Sequence, residues 1–276
     1  MSYNSPTDLA SALTLAAKAH QTVIAGGTDV YPASRQGRPP QNLLDVTRIP
    51  DLTSIAHLDD HIRIGAAVNW TQIINANLPA AFDALKQAAR EVGSVQIQNS
   101  GTIGGNLCNA SPAADGVPPL LTLDASLEVS SLARGPRIMP LGDFITGPRS
   151  TELQADELVT AVLVTNPDAN AKSAFEKLGS RRYLVISITM TAAQITCDDA
   201  GKIAQARVAV GACSAVAQRL PDLEASLIGK TPQDVHVARH HLAPLSPIDD
   251  VRGSGEFRLD VVAEQCVRAI KRAALA

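Results

Sequence analysis

The length, composition and charge of the chain exclude several kinds of protein. Its 276 residues are 45% hydrophobic and 18% charged, which predicts a soluble globular protein of one or two domains with no need for disulfides. A net charge of −3 leaves no basic surplus for nucleic acid, and no apolar run approaches the roughly 20 residues of a membrane span. The N-terminal residues do not resemble a signal peptide, so we expect a cytoplasmic protein.

The first fifty residues predict a compact unit of strands and helices. We expect a helix that begins at Ser5-Pro6, with serine as the cap and proline at the first helical position. Residues 22–25 form a short apolar run that is typical of a strand, and it leads directly into two glycines. A second strand is predicted at residues 43–46.

The middle of the chain predicts one hairpin, two helices and a long loop. The hairpin joins residues 54–58 to residues 61–64, and Asn69 is placed to cap a short helix. Residues 79–92 are rich in alanine and predict a helix. Residues 99–115 are rich in Gly, Asn, Ser and Pro, and we therefore expect a loop. The elements predicted beyond it are a helical turn at 118–123, paired strands at 127–129 and 137–139, and a strand at 157–164.

The C-terminal third predicts a second domain that begins near Ala171. Residues 183–196 and 203–212 are rich in β-branched side chains and predict an antiparallel hairpin. Helices are expected after residue 220, the last over residues 256–274. Strands and helices do not alternate as in a βαβ series, which favours an α+β fold over a doubly wound sheet.

Two glycine-rich segments carry the chemistry that the sequence suggests. The first glycine motif is residues 25–29 (AGGTD), and the second is residues 101–106 (GTIGGN). Glycine lets backbone N–H groups approach a phosphate closely, and Thr28 and Thr102 can add hydroxyl donors. One such motif alone is usually a turn. Two of them indicate a nucleotide cofactor whose pyrophosphate is bound by main-chain amides from both.

Two carboxylates near these motifs are expected to play different roles. Asp29 would repel a phosphate if it faced one, so we expect it to cap the next turn or to face away. Asp115 lies ten residues beyond Gly105 and could accept hydrogen bonds from ribose hydroxyls.

Four segments of the chain resemble one family of flavoproteins. Residues 102–115 (TIGGNLCNASPAAD) resemble the second flavin motif of the FAD-binding subunits of molybdenum hydroxylases, which include the medium subunits of xanthine dehydrogenase and carbon monoxide dehydrogenase. Residues 25–29 resemble the first flavin motif of the family. Residues 175–182 resemble its lysine-and-arginine segment, and residues 248–254 contain a D-x-R-G-S signature. The matches stand in the family's order and span the whole chain.

The resemblance implies a particular domain organisation. Residues 1–168 would form a two-lobed FAD-binding domain of the PCMH/vanillyl-alcohol-oxidase-like type, with lobes at about 1–52 and 53–168. Residues 169–276 would form the smaller α+β C-terminal domain of these flavin subunits, which contains an antiparallel sheet.

The resemblance also implies the residues that bind FAD. Asp115 would hold the adenosine ribose, Leu158 would pack near the flavin ring, and Lys177 would place a cation at its pyrimidine side. Tyr183 would lie near the ring. The full implied set is Ala25, Gly26, Gly27, Thr28, Asp29, Thr102, Gly104, Gly105, Asn106, Asp115, Leu158, Lys177 and Tyr183. We expect valine at Gly104 or Gly105 to abolish FAD retention and to leave the fold intact.

The implied activity is that of an oxidoreductase subunit with no catalytic acid, base or metal ligand of its own. A large subunit would hold the molybdenum cofactor, and a small subunit with [2Fe–2S] clusters would deliver electrons to FAD in this chain, which would pass them to NAD⁺, oxygen or another acceptor. The complex could be a dimer of heterotrimers. The four cysteines include no close pair, which agrees with clusters held by a partner. A self-sufficient FAD-dependent oxidase of the same fold and a cofactor-free scaffold are the alternatives.

Other motifs in the chain are incomplete. Residues 229–231 (GKT) end like a P-loop, but Glu224 stands where that motif requires glycine, and no G-x-G-x-x-G occurs. His236 and His240 lack the glutamate of a zinc-protease helix, so we expect a solvated helix face. Cys108 has no activating base in its neighbourhood and is expected to be a small packing residue.

Overall fold

The computed structural model describes residues 2–18, 21–34, 37, 42–181 and 184–275. Its strands are β1 (Ser2–Asn4), β2 (Thr22–Ile24), β3 (Asn42–Asp45), β4 (Ile55–His57), β5 (His61–Gly65), β6 (Ser126–Ser131), β7 (Gly135–Pro140), β8 (Ile145–Gly147), β9 (Ser150–Thr151), β10 (Glu157–Thr165), β11 (Lys172–Leu178), β12 (Thr189–Cys197), β13 (Ile203–Gly211) and β14 (Gln218–Arg219). Its α-helices are α1 (Leu9–Ala16), α2 (Val30–Ser34), α3 (Pro50–Thr53), α4 (Trp70–Asn75), α5 (Asp83–Glu91), α6 (Val95–Ser100), α7 (Ile103–Asn109), α8 (Val117–Thr122), α9 (Leu141–Phe144), α10 (Pro221–Leu227) and α11 (Gly255–Leu275). Short 3₁₀ turns cover Ala80–Phe82, Pro232–Asp234 and Arg239–Leu242. No helix in the described ranges combines the length and apolar composition that a bilayer crossing requires.

The chain divides into two compact units, which we call the first unit and the second unit. The first unit contains the described residues of Met1–Asn75, Val95–Ala110 and Ala125–Asn166. The second unit contains those of Ala76–Ser94, Ser111–Asp124 and Pro167–Ala276.

Two sheets form the frame of the first unit. Strands β1, β3 and β2 form a parallel sheet in that order, and β4, β5, β10, β6 and β7 form an antiparallel sheet in that order. The hairpins predicted at residues 54–64 and 127–139 are therefore confirmed. Helix α1 buries Ala12 and Leu13 against Leu44 of β3, and Leu158 of β10 belongs to the same apolar cluster. This cluster places β10 beside the loop that follows β2.

The second unit is an antiparallel sheet with helices packed on it. Strands β11, β12, β13 and β14 follow one another in the sheet, and the β12–β13 hairpin confirms the expected pairing. Ala193 and Ile195 alternate along β12 and pack with Val262 and Cys266 of α11. The structure confirms the α+β class and the antiparallel sheet near the C-terminus.

The segment predicted as a loop at residues 99–115 is helical at 99–100 and over α7, which corrects the sequence-based expectation there, and it is non-helical at 101–102 and 110–115. Thr102 caps α7 because its hydroxyl accepts a hydrogen bond from Gly105 N at 3.1 Å. Ile103 and Leu107, one turn apart, are fully buried, and Ala110 ends the helix with φ +46°. Core packing of these two residues outweighs the cost of about 1 kcal/mol that each helical glycine imposes.

Two element boundaries also differ from the expectation. The cap of α1 is Asp8, which accepts from Ser11 N at 2.8 Å, rather than Ser5. Strand β12 begins at Thr189 and not at residue 183, since the polypeptide from Leu184 to Ile188 is irregular. Strand β1 has only three residues, too few to show a periodic pattern, and was not predicted.

Candidate functional site: two glycine motifs and an apolar cavity

The two glycine motifs lie against each other in the first unit. A Cβ atom on Gly26 would stand 1.8 Å from the carbonyl oxygen of Ser100, so only glycine permits this crossing. Gly27 has φ +70°, a conformation that other residues rarely adopt. A Cβ on Gly101 would lie 3.5 Å from the Thr28 hydroxyl. The fold thus joins two segments that are about seventy residues apart in sequence.

The carboxylate of Asp29 is held by the second of these segments. Asn109, the last residue of α7, donates from its side-chain amide to Asp29 Oδ1 at 2.8 Å. Arg149 in turn donates to the carbonyl and side-chain oxygens of Asn109. Asp29 therefore has a defined partner, which fixes the orientation of its side-chain carboxylate.

The two motifs differ in the main-chain amides that they leave available. The N–H groups of Gly26, Gly27, Thr28 and Asp29 donate to no other residue in the described ranges. In the second motif most amides already have acceptors within the protein: Ile103 N bonds to Val68 O at 3.0 Å, Gly104 N to Ala66 O at 2.8 Å and Gly105 N to the Thr102 hydroxyl. The expectation of equivalent amide donors in both motifs is thereby corrected, because the first motif has four consecutive unused amides, whereas in the second motif the Thr102 amide alone donates to no described residue.

The paired glycines of α7 serve different purposes. Gly104 is buried, and a Cβ there would lie 2.6 Å from Ala66 O. Gly105 is exposed, and its Cβ would meet the Thr102 hydroxyl at 2.9 Å as its one neighbour within 4 Å in the described chain. Valine at Gly104 would therefore disturb the fold, contrary to the sequence-based expectation, whereas Gly105 borders open space.

Asn106 carries a polar atom that the described protein leaves unsatisfied. Its Oδ1 is buried and accepts no hydrogen bond from a residue in the described ranges. Such atoms are uncommon in folded proteins and indicate a missing donor. A ligand hydroxyl or amide beside α7 would supply one.

An apolar cavity of about 130 Å³ opens in the first unit between these elements. It brings together four residues that the resemblance implies, namely Ala25, Gly104, Gly105 and Leu158. The remaining lining residues are Val23, Val46, Ala66, Cys108, Leu153, Glu157 and Val159. The free amides begin one residue after Ala25, which shares the cavity with the glycines of α7 and an apolar wall, and this arrangement fits a ligand that joins an anionic bridge to a flat ring.

Comparison with known proteins assigns this arrangement to a family. A family model described as the FAD binding domain in molybdopterin dehydrogenase matches residues 1–167, and one described as the CO dehydrogenase flavoprotein C-terminal domain matches residues 173–273. The chain belongs to the FAD-binding subunits of the molybdenum hydroxylases. FAD is accordingly the cofactor of this flavin subunit, and the resemblance found in the sequence is confirmed.

Individual relatives agree with the family. The nicotinate dehydrogenase FAD-subunit of Eubacterium barkeri is 39% identical over 75% of this chain and 71% of its own length. The nicotine 6-hydroxylase medium subunit of Paenarthrobacter nicotinovorans is 31% identical over 98% of this chain and 96% of its own. A solved structure of the Cu,Mo-CO dehydrogenase in its cyanide-inactivated form matches with a TM-score of 0.90 at 25% identity, over 100% of this chain and 98% of that chain. The relatives are oxidoreductases, and so the flavin subunit belongs to an oxidoreductase.

Asp115 and Lys177 form a buried cluster in the second unit of the flavin subunit. Lys177 Nζ donates to Asp115 Oδ2 at 2.8 Å and to Glu91 O at 3.1 Å, and the Ser187 hydroxyl donates to Asp115 Oδ1 at 2.6 Å. Burial raises the pKa of the Asp115 carboxyl, while Lys177 and Ser187 act in the opposite direction. Lys177 therefore has Asp115 as its ion-pair partner at 2.8 Å.

Three other expectations have different outcomes. Tyr183 lies outside the described residues. Cys108 is exposed and lines the cavity, so it is not the packing residue that we expected. His236 is exposed but lies outside any helix, and the described residues include no group of three side chains placed to bind a metal.

Glu157, which was not among the predicted site residues, lies in the cavity wall beside Leu158. Its carboxylate accepts two hydrogen bonds from Arg137, from Nε at 2.9 Å and from Nη2 at 2.8 Å. These hydrogen bonds are the main reason why the pKa of Glu157 is lowered to about 2. Strand β6 lies between the strands of the two residues, and no sequence pattern signals a pair of this kind.

Proposed function

We propose that the first glycine motif binds the pyrophosphate of FAD through its free main-chain amides. Its support is the set of unused N–H groups from Gly26 to Asp29, which directly follow Ala25, a residue that lines the same cavity as Gly105. A diphosphate carries negative charge and many acceptor oxygens, so it is the natural acceptor for such donors. The Thr28 and Thr102 side chains stand in the same two motifs as further polar contacts.

The apolar cavity is the proposed site of the flavin ring. Ala25 and Leu158 line it from two elements, and Gly104 and Gly105 present α7 without side chains. Asn106 Oδ1 would receive a donor from the cofactor, which would remove its unsatisfied state. The protein's task here is to bind and orient the ring and to exclude part of the water, while bound FAD supplies one- and two-electron chemistry.

The roles proposed for the second-unit residues follow from the family. Asp115 would use its remaining lone pairs to accept hydrogen bonds from the adenosine ribose, and Lys177 would approach the pyrimidine side of the ring. Because Lys177 is paired with Asp115, we expect its effect on the ring to be that of a hydrogen-bond donor more than that of an isolated cation. Tyr183 is retained as a proposed neighbour of the ring.

The proposed activity is electron transfer inside a complex. Partner [2Fe–2S] clusters on a small subunit would pass electrons to this chain from a large molybdenum-cofactor subunit, and NAD⁺, oxygen or another carrier would receive them. A dimer of heterotrimers is the proposed assembly. We also propose the sequence-based domain boundary, with residues 1–168 as the FAD-binding domain and 169–276 as the C-terminal domain.

Purification of the native complex tests this proposal. We expect FAD, iron and molybdenum to co-purify with this chain, and the visible spectrum of its flavin to bleach when the complex receives its reducing substrate. A flavin-loaded chain that turns over substrate without iron or molybdenum would favour the self-sufficient oxidase. A chain without flavin under all conditions would refute both functions.

A further inference from the structure

An ion pair between the buried carboxylate of Glu157 and the partly exposed guanidinium of Arg137 stands beside the proposed flavin cavity. We propose that Glu157 and Arg137 are positioning residues that hold the wall segment, residues 152–156, against the cavity and so retain the flavin. This inference rests on the proposed function, because it concerns the site in which FAD is proposed to bind.

Both members of the pair bind the main chain of the wall segment. Arg137 Nη2 donates to the carbonyl oxygen of Glu152 at 3.1 Å, and Glu157 Oε2 accepts from Gln154 N at 2.9 Å. Leu153 lies between these two anchors and lines the cavity. The ion pair therefore forms hydrogen bonds with the main chain of the wall segment on both sides of Leu153, the residue that lines the proposed flavin cavity.

The Glu157 side chain is only 3% exposed, whereas that of Arg137 is 39% exposed, so the cost of breaking the pair lies in leaving the carboxylate without its partner. A buried carboxylate that loses its partner is destabilised strongly, whereas an exposed one is not. Arg134 is a weaker second partner of Glu157 at 3.5 Å, and it forms a closer ion pair with Asp156 at 2.6 Å. Arg137 is thus the main neutralising group for the carboxylate, and its fork geometry satisfies both oxygens at once.

Loss of Arg137 would change the cavity in a defined way. The carboxylate would have to turn toward water or admit water beside Leu153, and the wall segment would lose its anchor at Glu152. Water in the cavity and a displaced wall segment would both leave the proposed flavin ring less well enclosed by protein. We therefore expect faster release of FAD, with little change in the fold of the sheet.

The same sheet offers a matched control. Arg63 of β5 forms an ion pair with Glu128 of β6 at 2.8 Å, with side chains 19% and 26% exposed, and neither residue lines the cavity. Arg63→Met therefore removes a comparable guanidinium without touching the wall segment. A general loss of sheet stability would affect this variant and Arg137→Met alike.

The test measures FAD release from the purified complex and the visible circular dichroism of the bound flavin. We expect Arg137→Met and Glu157→Gln to release FAD about tenfold faster or more than the wild type, and to alter the dichroism of the flavin. Arg137→Lys should restore part of the retention, since it keeps the charge but not the two parallel hydrogen bonds. Arg63→Met should match the wild type in both measurements.

The outcomes separate this inference from the proposed function. If Arg137→Met folds poorly, Glu157→Gln gives the decision, because glutamine keeps the shape of the side chain. Release rates and dichroism in Glu157→Gln equal to those of Arg63→Met would overturn the positioning role while FAD binding stands. A wild-type complex without flavin would overturn the proposed function and this inference together.

Discussion

Substitutions at the two adjacent glycines of α7, Gly104 and Gly105, can distinguish an effect on folding from an effect on FAD binding. Alanine at Gly104 and alanine at Gly105 are the same chemical change at consecutive positions of one helix. We expect Gly104→Ala to destabilise the apoprotein, and Gly105→Ala to leave its stability nearly unchanged but to weaken FAD binding. The difference arises because one Cβ would enter packed protein and the other would enter the proposed cofactor space.

The magnitudes follow from the neighbours of each Cβ. At Gly104 the new atom would lie 2.6 Å from Ala66 O and 2.7 Å from Ala66 Cβ, and strain of this kind costs about 1–3 kcal/mol. The shift would also stretch the 2.8 Å hydrogen bond from Gly104 N, worth about 1 kcal/mol. The higher helix propensity of alanine stabilises the helix by about 1 kcal/mol, so the free energy of unfolding should fall by about 1–3 kcal/mol in total. At Gly105 the same gain offsets a disturbed Thr102 cap, also worth about 1 kcal/mol.

Thermal unfolding of the flavin-free and flavin-loaded proteins measures both effects. For a chain of this size about 1 kcal/mol lowers the midpoint by roughly 2–4 °C, so Gly104→Ala should melt clearly earlier than Gly105→Ala without flavin. Added FAD should raise the midpoint of Gly104→Ala and raise that of Gly105→Ala much less. Equal melting of the two apoproteins, or an undiminished FAD response in Gly105→Ala, would refute the reasoning.

Three further predictions concern contacts within the first unit or within the second unit. Gly26→Ala should abolish folding of the first unit, because its Cβ would stand 1.8 Å from Ser100 O; native-like circular dichroism in that variant would contradict the crossing. Lys177→Met should lower stability by about 3–5 kcal/mol by leaving Asp115 buried and unpaired, and Asp115→Asn in the same chain should recover part of this in a denaturant titration. The depressed pKa of Glu157 contributes stability that is present above its ordinary value of 4.5 and is lost as the pH falls toward about 2. Glu157→Gln should therefore show a flatter acid denaturation curve between those pH values, and an unchanged curve would count against the ion pair.

Local sequence patterns predicted those elements whose cause is local. The β4–β5 and β12–β13 hairpins follow from apolar runs around short polar turns, and Asn69 caps α4 as expected, with Gln72 N bonded to its Oδ1 at 2.8 Å. The first glycine motif was also found correctly as a loop after a strand. In each case the deciding pattern is a continuous stretch of sequence, such as an apolar run or a turn.

Elements fixed by distant contacts could not be predicted in this way. Helix α7 has a composition typical of loops, and it is helical because Ile103 and Leu107 are fully buried where the helix packs, in part against β10. The Glu157–Arg137 pair joins two strands with a third between them. The partner of Asp29 is Asn109, eighty residues away. None of these relations leaves a periodic or short-range trace in the sequence.

The four paired glycines of the two motifs are required for three different physical reasons, which bears on how such motifs should be interpreted. Gly26 and Gly104 are small because protein backbone packs against them, and Gly27 is glycine because φ is +70°. All three would be needed in the folded protein even without a ligand. Gly105 alone among the four is exposed, has an ordinary helical conformation and lines the cavity, and a Cβ there would meet no described atom other than the Thr102 hydroxyl outside its own helix backbone. The case for a cofactor therefore depends less on the number of glycines than on Gly105, together with the unused amides of the first motif and the unsatisfied oxygen of Asn106.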